Sequence, residues 1–151
     1  MASEGSIRAF LAHPALAVVG MSRTGRKFGN CACRELTKKG YRIHPIHPSA
    51  RAIDGVRCYE RFTDLPEPLE AVLVVVPPRQ AVAVMRDAAA AGIHHVWLQQ
   101  GAESPEALAA GRALGLDVVA GECILMFARP AGIHHLHRLV RRVVDRCAAR
   151  Q

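Results

Sequence analysis

The chain has 151 residues, half of them apolar and 22% charged. That make-up fits one globular domain able to bury a proper core, and excludes a disordered chain, a membrane-spanning chain or a small disulfide-stapled scaffold. Lysine and arginine number 20 against 13 aspartates and glutamates, a formal charge of +7, and 17 of the 20 are arginine. Such a balance favours anionic partners: a phosphorylated cofactor, nucleic acid or an anionic surface. Any single exposed arginine reads equally well as a solvated surface group.

Five cysteines, at 31, 33, 58, 123 and 147, are an odd number with no CxxC spacing. No secretory leader precedes them, and the longest apolar stretch near the N-terminus, residues 15–21, is far too short to cross a membrane. The expectation is a cytoplasmic, reducing environment with every thiol free and no membrane contact. Cys31 and Cys33, two apart on a helix, face different ways and argue against a metal site.

In chain order, a helix over 4–12 stops before Pro14. A strand follows at 15–20 (ALAVVG), a helix at 28–39 and a second strand at 41–46. The segment 48–68 is proline-rich and irregular, with a short strand near 56–58. A third strand spans 70–76 (EAVLVVV). "PPRQAVAVMRDAAAA" opens a helix on prolines, where missing amide donors do no harm. A fourth strand lies at 94–98. Ser104-Pro105 reads as a cap and first-turn proline of a helix running to 114, before a fifth strand at 116–120. A phrase of helix, glycine and short apolar strand recurs at Gly40, Gly92 and Gly115, the signature of βαβ crossovers. The predicted fold is α/β: a Rossmann-like, doubly wound, open parallel sheet of about five strands in a single domain.

Such sheets bind ligands at the carboxyl ends of their strands, where strand order reverses. After the first strand comes Gly20-Met21-Ser22-Arg23-Thr24-Gly25, the ends of a G-x-G-x-x-G fingerprint with serine in the middle. Arg26, Lys27, Phe28, Gly29 and Asn30 continue it to the next helix, whose amides and positive dipole end favour a phosphate. A dinucleotide site needs an acid after the second strand for the ribose hydroxyl. Positions 41–53 hold no acid; His47-Pro48 stand there, with Arg42 and Arg51 nearby. This weakens NAD and favours a nucleotide carrying an additional phosphate. Val76, Pro77 and Pro78 end the third strand as a rigid wall suited to an adenine face or simply as a helix start, and Arg79 after them reads equally as a phosphate contact or as none. Gln99, Gln100 and Gly101 follow the fourth strand; Glu122 and Cys123 follow the fifth. Trp97 reads as core, and His94 and His95 as structural.

The last stretch, GIHHLHRLVRRVVDRCAAR, predicts an amphipathic helix over 132–148 with a basic face. His134 and His137 are spaced for a metal but lack a third ligand. No aromatic residues interleave for nucleic acid, so a solvated or inter-subunit face is expected. No nucleophile elbow and no paired carboxylates stand out.

The segments "VVGMSRTGRKFGN", "YRIHPIHP", "VLVVVPP", "VWLQQGAES" and "GECILM", in this order and spacing, resemble the small CoA-binding-domain proteins. That family is similar to the nucleotide-binding first domain of succinyl-CoA synthetase α subunits and of ADP-forming acyl-CoA synthetases. The resemblance covers about residues 14–127, with a short helix (1–13) before it and the basic tail (128–151) outside it. It implies that Gly20, Met21, Ser22, Arg23, Lys27, Phe28 and Gly29 meet the phosphates of CoA or an acyl-CoA. It implies that His47, Pro48, Val76, Pro77 and Pro78 frame the adenosine. Gln99, Gln100 and Gly101 would lie along the pantetheine, with Cys123 toward its far end. The family's usual asparagine before the proline is His47 here, and the synthetases' domain with a phosphorylated histidine is not in this sequence. The implied function is non-catalytic binding of CoA, alone, as a homodimer or with a protein partner. An NADP-dependent oxidoreductase or redox sensor, and a component of an acyl-CoA-processing enzyme working through Cys123, are the rival readings.

Overall fold

The computed structural model describes residues 2–128 and Cys147. α1 (Glu4–Ala12) is capped by Ser3, whose hydroxyl accepts the Ser6 amide at 3.0 Å. Then come β1 (Ala15–Val19), α2 (Phe28–Lys38) and β2 (Arg42–Ile46). A two-stranded hairpin, β3 (Ala52–Ile53) and β4 (Val56–Arg57), and a 3-10 turn (Phe62–Asp64) lead to β5 (Ala71–Val74). α3 (Pro78–Ala90), β6 (His95–Gln99), α4 (Pro105–Ala113), β7 (Asp117–Glu122) and α5 (Ile124–Phe127) complete the described chain.

The five long strands form one sheet in the order β2-β1-β5-β6-β7, every neighbouring pair parallel. Strand order reverses between β1 and β5, so their carboxyl ends flank the crevice where ligands of such sheets lie. Both faces are covered. Leu16, Val18, Leu73, Trp97 and Val119 point into a cluster with Phe10, Leu36 and Ile124 of the helices on one side. Ala17, Val72, Val74, Val96 and Leu98 alternate with them and pack against Ala81, Met85 and Ala107 on the other. Burial on both faces is why these strands read as unbroken apolar runs. Trp97 is fully buried, donates its Nε1–H to the Glu122 carbonyl at 3.0 Å and meets Phe10 edge-on. Gly40, Gly92 and Gly115 all have positive φ, as the helix-ending reading requires.

The five-stranded parallel α/β architecture is therefore as expected, with ends shifted by a residue or two. Two features were not legible. The hairpin has two arms where the sequence indicated one strand. The turn of helix at α5 was not foreseen. Most of the expected helix at 132–148, with His134 and His137, lies outside the described residues. One expectation is overturned. Cys31 of α2 is disulfide-bonded to Cys147, 116 residues away. Only Cys33, Cys58 and Cys123 are free thiols. No spacing rule joins residues so far apart; only the folded chain brings Cys147 to Cys31.

Among the described residues no helix is long and apolar enough to cross a membrane.

A crosslink closing so long a loop removes several kcal/mol of unfolded-state entropy, roughly 2–5 kcal/mol. Reduction, or Cys147→Ser, is expected to lower the melting temperature by roughly 10 °C. Alkylation of the denatured protein should label three cysteines before reduction and five after it. Five labelled at the outset would show that the bond is absent.

Candidate functional site

The turn after β1 is set by backbone contact. Gly20 has φ +118°, and a Cβ there would run into the Val75 carbonyl at the end of β5. Gly29, in the first turn of α2, lies so close that its own Cβ would sit 2.9 Å from the Gly20 carbonyl oxygen. Any side chain at either position would push the helix off the sheet edge.

Asn30 then holds the loop in shape. It is fully buried. Its Oδ1 accepts the Ser22 amide at 2.9 Å and its Nδ2 donates to the Ser22 carbonyl at 2.8 Å. The Gly25 amide closes the turn onto the same carbonyl at 3.1 Å. The Ser22 and Thr24 hydroxyls pair at 2.9 Å. From outside, Asp54 at the hairpin tip accepts from Asn30 Nδ2 at 3.2 Å and from Arg34 at 2.7 Å. Arg34 also donates to the Gly25 carbonyl at 3.3 Å.

The result is a ledge of exposed cations over an uncapped helix start. No side chain caps α2, and its first internally bonded amide is that of Asn30, which donates to the Lys27 carbonyl at 3.1 Å. The amides of Phe28 and Gly29 precede it. Arg23, Arg26 and Lys27 are exposed and form no ion pair among the described residues. Met21 and Phe28 are buried in the same apolar cluster as Cys123, beneath that ledge.

Beyond β2, His47 and Pro48 line a concavity of about 420 Å³ with Ser49, Arg51, Arg57 and Cys58. The Nδ1 of His47 accepts the amides of Ser49 (3.2 Å) and Ala50 (3.0 Å). Those two bonds put the ring proton on Nε2. His47 Nδ1 thus stands in for the side-chain carbonyl of an asparagine in an Asx turn.

The remaining expected residues fall at the same sheet edge, in different states. Val76 is half-buried against the second apolar cluster, Pro77 is exposed and Pro78 starts α3. Gln99 is not open to a ligand as expected. It is buried, and its Oε1 accepts the Ile124 amide at 3.1 Å, tying β6 to α5. Gln100 is exposed, and the Gly101 amide is taken by the Glu103 carboxylate at 2.7 Å. Cys123 is buried at the start of α5. Burial pushes the Cys33 thiol up to about 12, and raises the Cys58 thiol too. Neither supplies thiolate near neutrality. Reasoning from sequence missed Asn30 as the organiser of the loop, and it missed Asp54, although Asp54-Gly55 between Ile53 and Val56 is a hairpin signal.

Known proteins share this fold and part of this sequence. The family model for the CoA binding domain matches residues 15–129. An ADP-forming acetate–CoA ligase of Archaeoglobus fulgidus is 32% identical over 80 residues, which are 52% of this chain and 12% of the ligase. The chain thus spans only a small part of the length of that relative. A conserved hypothetical protein from Pyrococcus furiosus superposes with a TM-score of 0.68 at 34% identity, covering 73% of this chain and 95% of its own. A dinucleotide-forming acetyl-coenzyme A synthetase from Candidatus Korarchaeum cryptofilum superposes with a TM-score of 0.62 at 27% identity, over 70% of this chain and 25% of its own. With the fold, the strand order and a family match across most of its length in agreement, this chain belongs to the CoA-binding-domain family.

Proposed function

We propose that the protein binds coenzyme A or an acyl-CoA at the carboxyl edge of its sheet, without performing chemistry on it alone. The observation that carries this reading is the loop between β1 and α2. Gly20 and Gly29 bring a helix start against the sheet edge, and Asn30 holds Ser22 in a loop that also carries three exposed cations with no ion pair among the described residues. A pyrophosphate suits that surface. In this reading Gly20, Ser22, Arg23, Lys27 and Gly29 hold the phosphates. His47 and Pro48 contact the ribose and adenine, and the chain's last described strands carry the pantetheine. The free thiols support no catalytic role: Cys33 and Cys58 are held protonated by burial, and Cys123 is enclosed. No observation favours an oxidoreductase over this reading.

Native mass spectrometry and calorimetry with CoA, pantetheine and NADP test it directly. CoA binding with NADP failing to compete is the expected result; NADP displacing CoA at equal concentration would overturn it. Lys27→Ala is expected to weaken CoA about tenfold, the worth of one charge-assisted bond, and to leave pantetheine unchanged. Equal loss for both ligands would show that Lys27 does not meet phosphate. Asn30→Ala strips both bonds from Ser22 and leaves a buried void. It should cost roughly 1–3 kcal/mol in denaturant unfolding and weaken CoA as well, since the amides it orders are those that meet the ligand.

A further inference from the structure

The disulfide sits where the candidate site is made. Cys31 lies in the first turn of α2, one residue after Asn30. Its amide donates to the Lys27 carbonyl at 3.3 Å, the same oxygen that takes the Asn30 amide at 3.1 Å. That turn is weak by its own means. No side chain caps it, and Gly29, which the close contact with Gly20 demands, is a poor helix former. It is held from outside the helix instead. Asn30 ties it to the Ser22 backbone, and the bond from Cys31 ties it to Cys147, which is wholly buried. Cys31, Cys147 and the loop residues Met21 and Phe28 belong to one apolar cluster.

The far end of α2 is anchored separately. Lys39, just past its last turn, donates from Nζ to the Ala128 carbonyl at 2.8 Å. Lys39 and Cys31 stand about 12 Å apart along the helix axis. Opening the disulfide therefore frees the loop end of α2 and leaves the other anchor in place. Resting on the CoA reading above, we propose that Cys31 and Cys147 are a redox couple that sets the affinity of the site. The disulfide form presents an ordered helix start to the phosphates, and the dithiol form, whose first turn must be ordered by the ligand, binds more weakly. The reductant is a dithiol. Its thiolate attacks Cys147 Sγ, the bond to Cys31 breaks, and the electron pair leaves with Cys31 Sγ, at the positive end of α2 where a thiolate is favoured. The reductant's second thiolate then displaces Cys147 Sγ, so the reductant ends as a cyclic disulfide and its two protons end on the two cysteines. The neighbouring thiols do not attack the bond, since burial pushes Cys33 up to about 12 and raises Cys58. Affinity and redox state are linked, so a ligand that prefers the disulfide form makes it harder to reduce by the same factor.

Calorimetry of the full chain with S-methyl-CoA, whose blocked sulfur cannot exchange with the bond, tests the coupling. The oxidised protein is expected to bind at least about fivefold more tightly than the same protein held in dithiothreitol. Cys147→Ser is expected to bind like the reduced wild type in either condition. In mixtures of reduced and oxidised dithiothreitol, saturating S-methyl-CoA should raise the ratio at which half the bond is open by the same factor as the affinities differ. A bond that only staples the fold lowers the melting temperature on reduction but leaves affinity and ratio unmoved, and that result overturns the proposal while leaving CoA binding intact. So does a reduced chain that unfolds under the assay conditions, or a Cys147→Ser variant whose affinity still follows the redox buffer. An oxidised wild type that does not bind S-methyl-CoA removes the CoA reading itself, and the coupling with it.

Discussion

Three backbones meet at the end of β1, and no side chain fits between them. Gly20 lies against the Val75 carbonyl, and Gly29 lies against Gly20. This contact seats the start of α2 directly on the sheet edge between β1 and β5, where strand order reverses. It is a matter of exclusion rather than attraction: a methyl group at either glycine would separate helix and sheet. Asn30 then converts closeness into order, because its amide both accepts from and donates to the Ser22 backbone. A loop fixed this way reaches a ligand already ordered, so little conformational entropy is left to lose on binding.

The excess of basic residues acquires a meaning only through this geometry. Exposed arginines with no ion pair among the described residues occur elsewhere too, Arg86 and Arg112 among them, so lack of such a pair is not a signal by itself. What distinguishes Arg23, Arg26 and Lys27 is their place on the loop at the sheet's carboxyl edge, and Arg51 and Arg57 their place around a concavity. A concave surface concentrates the field of the charges around it, which a convex surface disperses. A net charge of +7 would be a weak argument if it were spread evenly.

Much of this was legible in the sequence, for identifiable reasons. Strands buried on both faces need continuous apolar runs, and VVG, VLVVV and VWL are such runs. Glycines at helix ends and prolines at helix starts leave their marks within a few residues. The same local logic located the loop, since Gly20, Gly25 and Gly29 are needed by the turn itself. It did not extend to what each residue touches. Gln99 follows a strand as a ligand-reading amide would, yet packing turns it inward to the Ile124 amide. The hairpin arms are two residues each, too short for any periodicity to show. Cys31 and Cys147 are joined by folding across nearly the whole chain, which no spacing records.

The hairpin tip shows how one carboxylate can serve a basic site. Asp54 has φ +51°, a left-handed conformation that aspartate tolerates better than most residues. It faces Gly25 so closely that a Cβ on that glycine would stand 2.8 Å from its oxygen. Loop and hairpin are therefore shaped to each other. Left alone, an acid here would repel a phosphate on either side. Arg34 at 2.7 Å and Asn30 at 3.2 Å engage it from the protein's side, which offsets its charge and uses it as a strut. Ile53, almost fully buried, anchors the arm behind it. Loop and hairpin are thereby joined at one polar contact.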